Sequence, residues 1–223
     1  MTDPLQPKFI KRSRVKKMLS KPLQKSRYLS VKTTRTLLHS ARAAASIGRP
    51  LNTFITINLW KFGLTNENAS AFVRSVLIEQ RFSRWSNYIP AKETQPRNGK
   101  PTYVGVIEDQ TGGHVHLHMM VHLEAKNKLT FKANLEKWLM AEFDLDEIPA
   151  RSVQVQHGIN AEGLKKYFAK STNPFYARLC KIRPEDTGEI YGRRGFNSRN
   201  IGPAVWKPLR EAYRAGKAVK AVA

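Results

Sequence analysis

The 223-residue sequence is poor in acidic residues relative to basic ones. It has 17 Asp and Glu against 39 Lys and Arg, which leaves a formal net charge of +22. Such an excess of positive charge favours a polyanionic partner, with nucleic acid first and an anionic membrane surface second.

Cysteine and long apolar runs are also scarce. The single cysteine, Cys180, excludes an internal disulfide and is typical of a reducing compartment. No apolar run approaches the roughly 20 residues of a membrane span, and the N-terminal residues lack the apolar core of a signal peptide. We therefore expect a cytoplasmic protein that does not bind membranes.

Residues 1–50 carry 13 Lys and Arg and one acid, Asp3. We predict a basic N-terminal arm that is partly helical or disordered, with a helix over 32–47 that ends at Gly48 before Pro50. The densest positive run of this arm is predicted to contact phosphates without reading sequence. It consists of Lys11, Arg12, Arg14, Lys16 and Lys17.

The central part, residues 51–175, alternates strand and helix patterns. We predict strands at 53–60, 102–108, 114–122 and 152–156 and helices at 67–88, 129–143 and 161–171. The helix at 67–88 is capped by Asn66 and buries a stripe of apolar side chains, namely Phe72, Val76, Phe82 and Trp85. This order predicts an α+β fold: a ferredoxin-like or RRM-like antiparallel sheet of four to five strands, helices on one face, and the last helix near the open face. Residues 176–223 form a basic extension that packs on this domain or continues it.

One short segment holds four of the six histidines. At a strand's period of two, His114, His116, His118 and His122 share one face, and the opposite face is apolar. Alternate residues of a strand lie roughly 6.5–7 Å apart, so two imidazoles can converge on one ion. The pattern favours a metal site over a histidine-rich solvent face.

A third ligand is expected from the preceding strand, which ends in Glu108 and Asp109. A two-residue glycine turn sets Asp109 opposite His116, whereas a three-residue loop that begins at Thr111 sets Glu108 opposite His116. We predict Glu108, with Asp109 as the alternate. Two imidazoles and one carboxylate suit Mn²⁺ or Mg²⁺ and leave positions open for a phosphate.

The last predicted helix carries Tyr167 and Lys170, which are three residues apart and share a helix face. A tyrosine beside a metal-bound phosphate is a candidate nucleophile, and a lysine there can stabilise developing charge. Alone, a Tyr-x-x-Lys pair carries little information.

Together these segments resemble the HUH endonuclease superfamily, which includes rolling-circle replication initiators, conjugative relaxases and single-tyrosine transposases. The family pattern joins a hydrophobic strand that ends in a polar residue, a His-hydrophobic-His strand and a later Tyr-x-x-Lys helix. Here the three parts are 54–58, 116–121 and 167–170. The apolar residues after His118 favour His116 and His118 as the metal pair, with His114 as a flanking or substitute ligand.

The resemblance implies a nicking and joining enzyme of the single-tyrosine replication-initiator type, encoded by a plasmid or phage of a bacterial or archaeal host. Its divalent ion, Mn²⁺ or Mg²⁺, polarises the scissile phosphate of single-stranded or hairpin origin DNA, and Tyr167 forms a 5′-phosphotyrosine link. Host replication proteins are further implied partners. A transposase or relaxase has the same chemistry, and a non-catalytic RRM-like nucleic-acid-binding module is the alternative of another class.

The C-terminal part adds a basic stretch, residues 192–199, with Phe196 embedded in it. It is predicted either to bind the DNA strand by phosphate contact and stacking or to be an exposed charged loop. The predicted DNA-contacting residues outside the N-terminal arm are Lys166, Arg193, Arg194 and Arg199.

Overall fold

A computed structural model describes residues 23–110 and 113–216, which fold into an α+β structure around one antiparallel sheet. The predicted basic run at 11–17 lies outside the described residues. Within the two described ranges, no helix has both the length and the apolar character needed to cross a membrane.

The described residues contain seven strands: β1 (Lys25–Ser26), β2 (Thr53–Asn58), β3 (Tyr103–Gln110), β4 (His114–Val121), β5 (Val153–His157), β6 (Ile190–Tyr191) and β7 (Gly195–Asn197). Five of them form the central sheet in the order β5-β2-β4-β3-β7, and every neighbouring pair is antiparallel. The other two, β1 and β6, pair as a separate ribbon.

Six helices accompany the strands: α1 (Val31–Ser46), α2 (69–87), α3 (Lys128–Phe143), α4 (Ala161–Phe168), α5 (Pro174–Leu179) and α6 (Pro203–Arg214). α2 is composite, because its middle, Phe72–Phe82, has the wider i→i+5 hydrogen bonding of a π-helix. Short 3₁₀ turns follow β2 at Leu59–Phe62, precede α3 at Ala125–Asn127 and precede α6 at Arg199–Ile201.

Local sequence signals set several helix ends. Ser30 Oγ accepts from the Thr33 N–H at 3.1 Å and so caps α1, which ends before Gly48 as predicted. Asn160 caps α4 in the same way, since its Oδ1 accepts from the Gly163 N–H at 3.1 Å.

The first face of the sheet carries the larger core. α2 and α3 pack there against the apolar side of β4, and the predicted stripe of α2 is fully buried. Ile57 and Leu117 lie directly opposite each other on β2 and β4 at the centre of this core. Burial of this apolar surface is the main stabilising contribution to the fold.

The second face is also covered, so the prediction of helices on one face only is wrong. Val104, Val106 and Met120 project from this face into a second core with side chains of α1, α4 and α6. The sheet is apolar on both faces over half its length, which demands cover on both sides. The histidine side of β4 stays accessible only toward its N-terminal end, where His114 is exposed.

The same core corrects the predicted domain boundary at residue 50. Leu37, Ala43 and Ala44 of α1 are buried against the sheet, so α1 is an integral part of the domain rather than of a separate arm. The C-terminal region continues the domain in the same way. It supplies strand β7 to the central sheet, and Trp206 of α6 is buried in the second core.

Predicted and observed bounds differ at several elements, and three of these differences bear on the local structure or the site. α2 begins at Ala69 rather than beside Asn66, because Asn68 Oδ1 accepts from the Thr65 N–H and closes a turn first. β2 ends at Asn58, where the chain enters a 3₁₀ turn. α4 ends at Phe168, so Lys170 lies in the turn that follows the helix.

Candidate active site

The register of β3 and β4 decides which carboxylate accompanies the histidines. Glu108 pairs with His116 and Gln110 with His114, as predicted for a three-residue loop. Asp109 pairs with Val115 and therefore points to the other face of the sheet, so the alternate ligand Asp109 is wrong.

Asn58, the polar residue that ends β2, fixes the tautomer of His116. Its Nδ2 donates to the Arg151 carbonyl at 2.6 Å, which leaves Oδ1 to accept from His116 Nδ1 at 2.7 Å. The His116 Nε2 atom therefore carries the free lone pair. Burial, together with the nearby His114 and Lys170, lowers the pKa of His116, which favours this neutral form.

His118 lies deeper than His116. Its Nδ1 is 3.1 Å from Thr56 Oγ1, while its Nε2 lies 3.5 Å from the Tyr167 hydroxyl and 3.7 Å from Glu108 Oε2. Burial, with smaller contributions from Lys170 and His116, lowers the pKa of His118 to about 4. The imidazole is therefore neutral at pH 7, and its Nε2 can accept a proton or bind a cation.

Glu108 is a buried carboxylate held from two sides. Ser171 Oγ donates to its Oε1 at 3.5 Å and in turn accepts from Thr187 Oγ1 at 2.7 Å. Its Oε2 lies 3.1 Å from the Lys170 ammonium, which donates a charge-assisted hydrogen bond to it. Burial raises the pKa of Glu108, and the positive charge of Lys170 opposes that rise.

Lys170 connects the carboxylate to the tyrosine. Its Nζ lies 3.1 Å from both Glu108 Oε2 and Glu185 Oε2 and 4.5 Å from the centre of the Tyr167 ring. Burial lowers the pKa of Lys170, but the charge of Glu108 and the hydrogen bonds outweigh burial and raise it overall. The group is therefore a permanent cation beside the phenol.

Tyr167 is 39% exposed, so part of this side chain is open to solvent. Its ring meets those of His118 and Phe54 edge-on, with ring centres 5.6 and 6.5 Å away. Partial burial raises the pKa of Tyr167, and Lys170 opposes the rise. The phenol is thus held in one place but needs a proton acceptor before it can attack.

His114, the substitute ligand, is exposed and stacks on Trp60 with ring centres 4.5 Å apart. It lies at the N-terminal end of β4, two residues before His116. The rings of His116 and His118 lie parallel with centres 6.3 Å apart.

The types of donor atom present, imidazole nitrogen and carboxylate oxygen, suit a divalent ion. His116 Nε2 is free because Nδ1 is engaged by Asn58. His118 Nε2 lies 3.5 Å from the Tyr167 hydroxyl and Glu108 Oε2 lies 3.1 Å from the Lys170 ammonium, so an ion would have to replace these two contacts. The side chains are not gathered around one point, however. Within residues 23–110 and 113–216, no three His, Cys, Asp or Glu side chains are arranged to hold a metal ion.

The predicted DNA-contacting residues divide into two groups. Lys166, Arg193 and Arg199 are exposed. Arg194 is buried, and its guanidinium donates to the carbonyls of Arg27, Thr187 and Gly188, so its predicted role in DNA contact is wrong. An arginine that satisfies three carbonyls holds loops together.

Sequence reasoning missed Glu185, Ser171 and Thr187. They come from the turn after α4 and from the loop before β6, and no spacing in the sequence relates them to the histidine strand. The contact of Thr56 with His118 depends on the β2–β4 register, which the sequence alone does not fix.

Comparisons with protein-family models, with curated proteins and with solved structures find no match to this chain.

Proposed function

We propose that this protein is a metal-dependent, site-specific single-stranded DNA endonuclease and strand transferase that initiates rolling-circle replication of a plasmid or phage. One observation carries the proposal: the Tyr167 hydroxyl lies 3.5 Å from His118 Nε2, in a cluster with Glu108 and Lys170. These four residues come from β3, from β4, from the last turn of α4 and from the turn that follows it, and the two strands are distant in sequence from the helix. Such convergence of a nucleophile, a proton acceptor and a cation is typical of an active site.

The fold supports the proposal. The elements β2-α2-β3-β4-α3-β5 give the sheet order β5-β2-β4-β3, and this order supports the ferredoxin-like arrangement that we propose. β4 is therefore a central strand, and the end of α4 reaches across it so that Tyr167 lies near His118. The HUH pattern, which this chain resembles, joins a histidine strand to a later Tyr-x-x-Lys helix, and here Tyr167 contacts His118 of that strand.

The chemistry is a transesterification. Tyr167 Oη forms a bond to phosphorus as the bond from phosphorus to the 3′-oxygen breaks, so one phosphodiester replaces another. The phenol loses its proton, the leaving 3′-oxygen gains one, and no co-reactant is needed. His118 Nε2 is placed to take the phenol proton, and the Lys170 ammonium to stabilise the phenolate.

A divalent ion, Mn²⁺ or Mg²⁺, would be held by His116, His118 and Glu108. When bound, such an ion polarises a phosphate oxygen. His118 Nε2 has a single lone pair, so it can either accept the phenol proton or bind an ion, but not both at once. With Mn²⁺ bound, as we expect, His118 is a ligand and the phenol proton passes to solvent. His118 is the proton acceptor only if the reaction needs no ion.

The test uses a randomised pool of single-stranded oligonucleotides with a fluorophore at the 3′ end, because the tyrosine retains the 3′ fragment. The protein is incubated with the pool, with Mn²⁺ or with a chelator, and run on a denaturing gel. We expect a labelled, protease-sensitive adduct that depends on Mn²⁺. An adduct that forms equally well in the chelator would contradict the metal role. Strong binding without any adduct would instead favour the non-catalytic RRM-like module.

A further inference from the structure

A long groove borders β7, the edge strand of the sheet, at a place separate from Tyr167. Its deeper part encloses about 640 Å³, and a hollow of about 700 Å³ continues it past Leu23 and Ser70. Both parts share Tyr28, Arg74 and Arg193, so they form one elongated channel rather than two pockets. We call it the edge groove.

Four cations surround the edge groove: Lys32 of α1, Arg74 of α2, Arg193 before β7 and Arg199 after it. All four side chains are exposed, and none forms an ion pair with another described residue. Glu79 is the sole acidic residue among those that line the deeper part. Four unpaired positive charges around one channel create a strong local attraction for polyanions.

Specific contacts fix the backbone around the edge groove. The buried Arg194 fixes its backbone through three carbonyls, so the neighbouring Arg193 is directed outward, and the Arg193 carbonyl accepts from Ser70 Oγ at 3.0 Å. Gly195 lets α1 approach β7 closely, because a Cβ at this position would lie 2.5 Å from the Thr33 side chain.

Aromatic rings lie among the cations. Tyr28 is 37% exposed on one wall, and Phe196 of β7, partly exposed, lines the same channel. The arrangement of stacking rings with phosphate-binding cations is the one that proteins use for single strands, whose bases are free to stack. An acidic protein segment would use the cations but leaves the rings without a role.

We propose that the edge groove binds a single-stranded segment of nucleic acid that lies away from the phosphate cut at Tyr167. The inference deepens the proposed function, since it assigns a second contact for the same substrate strand. It also assigns the predicted DNA-contacting residues Arg193 and Arg199 to this groove. The other proposed contacts, Tyr28, Lys32 and Arg74, were not identified from the sequence.

The experiment measures binding of fluorescent oligothymidylate by anisotropy across a range of salt concentrations. All chains are full length and carry Tyr167→Phe, so that no covalent product forms. Arg74→Ala with Arg193→Ala is compared with Arg84→Ala plus Lys137→Ala, which removes the same charge from exposed residues that do not line the groove. Oligouridylate in a parallel arm distinguishes DNA from RNA as the source of the strand.

We expect the groove variant to weaken binding about tenfold and to flatten the salt dependence by about 0.7 per lost phosphate contact, while the control pair stays near the parent value. Tyr28→Ala should weaken binding by about tenfold, and Tyr28→Phe should restore it, because stacking needs the ring and not the hydroxyl. Equal binding by the groove and control variants would overturn the proposal.

Failure of the proposed function is separable from failure of the edge groove. The adduct assay is run on the chain with Tyr167 intact, whereas the groove is read from equilibrium binding alone. If no adduct forms but the groove variant binds the oligonucleotide more weakly than the control, the edge-groove proposal stands and the nuclease proposal is rejected. If an adduct forms but the groove variant binds the oligonucleotide as well as the control, the edge-groove proposal is rejected and the nuclease proposal stands.

Discussion

Lys170 is central to the candidate site, because its ammonium lies beside both a buried carboxylate and a phenol. It neutralises Glu108 at 3.1 Å and lies 4.5 Å from the Tyr167 ring centre. Removing the cation would leave Glu108 buried without a counter-charge, which is costly for stability as well as for catalysis.

Lys170→Met keeps the length of the side chain and removes its charge. We expect the rate of adduct formation to fall by about two orders of magnitude, because the phenolate loses its stabilising cation. The free energy of unfolding should also fall, by about 3 kcal/mol, unless Glu108 takes up a proton. Lys165→Met, which removes a partly buried lysine of α4 that pairs with Glu162, is the control. An unchanged rate in Lys170→Met would contradict the role of this ammonium.

The histidines are tested through metal binding. His116→Ala and His118→Ala should each weaken binding of Mn²⁺, measured by calorimetry, by at least about tenfold, since each removes one of three ligands. His157→Ala removes an exposed histidine from β5 of the same sheet and serves as the control. His114→Ala should have a milder effect. A larger loss at His114 than at His118 would mean that the other pair of histidines holds the ion.

Among the elements, the sequence predicted those with strong periodicity and missed those defined by pairing alone. The alternation in β2 and β4 and the stripe of α2 were sufficient to predict the larger core. β7 has three residues, and its place at the sheet edge depends on its pairing with Val104 and Val106, which nothing in 195–197 indicates. The candidate site was predictable where its residues lie on the histidine strand, pair with it through the loop register or belong to the Tyr-x-x-Lys pattern. It was not predictable where distant loops supply Glu185 or Thr187.

α1 shows why composition misled the domain prediction. Its Lys and Arg residues face solvent, while a narrow row of small and apolar side chains, with Leu37 the largest, contacts the second core. A basic segment can therefore be an integral helix when one face is apolar.

Leu37→Ala should lower the free energy of unfolding by about 2–5 kcal/mol, because it leaves a cavity between α1 and the sheet. Val31→Ala is the control, since Val31 is an exposed apolar residue at the start of the same helix. Urea denaturation of the two variants gives the comparison. Similar values for both would mean that α1 contributes little to the core, as a detachable arm would.

For the molecule as a whole, buried histidines make stability depend on pH. Burial lowers the pKa of His39, His116 and His118 in the folded state below the roughly 6.5 of an unfolded chain. Below that pH the unfolded state binds protons that the folded state does not. Stability is therefore fully present above about pH 6.5 and is lost as the pH falls, at up to about 1.4 kcal/mol per pH unit for each histidine.

Urea midpoints measured in a chelator between about pH 7 and pH 5 should therefore decrease with acidification. His39→Gln should make that dependence shallower, because His39 stacks on Trp206 beside Arg210 and Arg42. The raised pKa of Glu108 has the opposite effect on stability, but Glu108 is present in both chains. The difference in slope between His39→Gln and the parent chain therefore reports the contribution of His39. A slope identical to that of the parent chain would contradict this account of His39.

The central claim is that Tyr167 becomes covalently linked to a DNA 5′ phosphate. Mass spectrometry of the protease-digested adduct tests it most directly, with Tyr167→Phe as the matched chain that loses one oxygen and keeps the ring. We expect a nucleotide-modified peptide that contains Tyr167, and no adduct from Tyr167→Phe although that chain still binds DNA. A modified peptide containing Tyr176 or Tyr191, or cleavage by hydrolysis without any adduct, would contradict the claim.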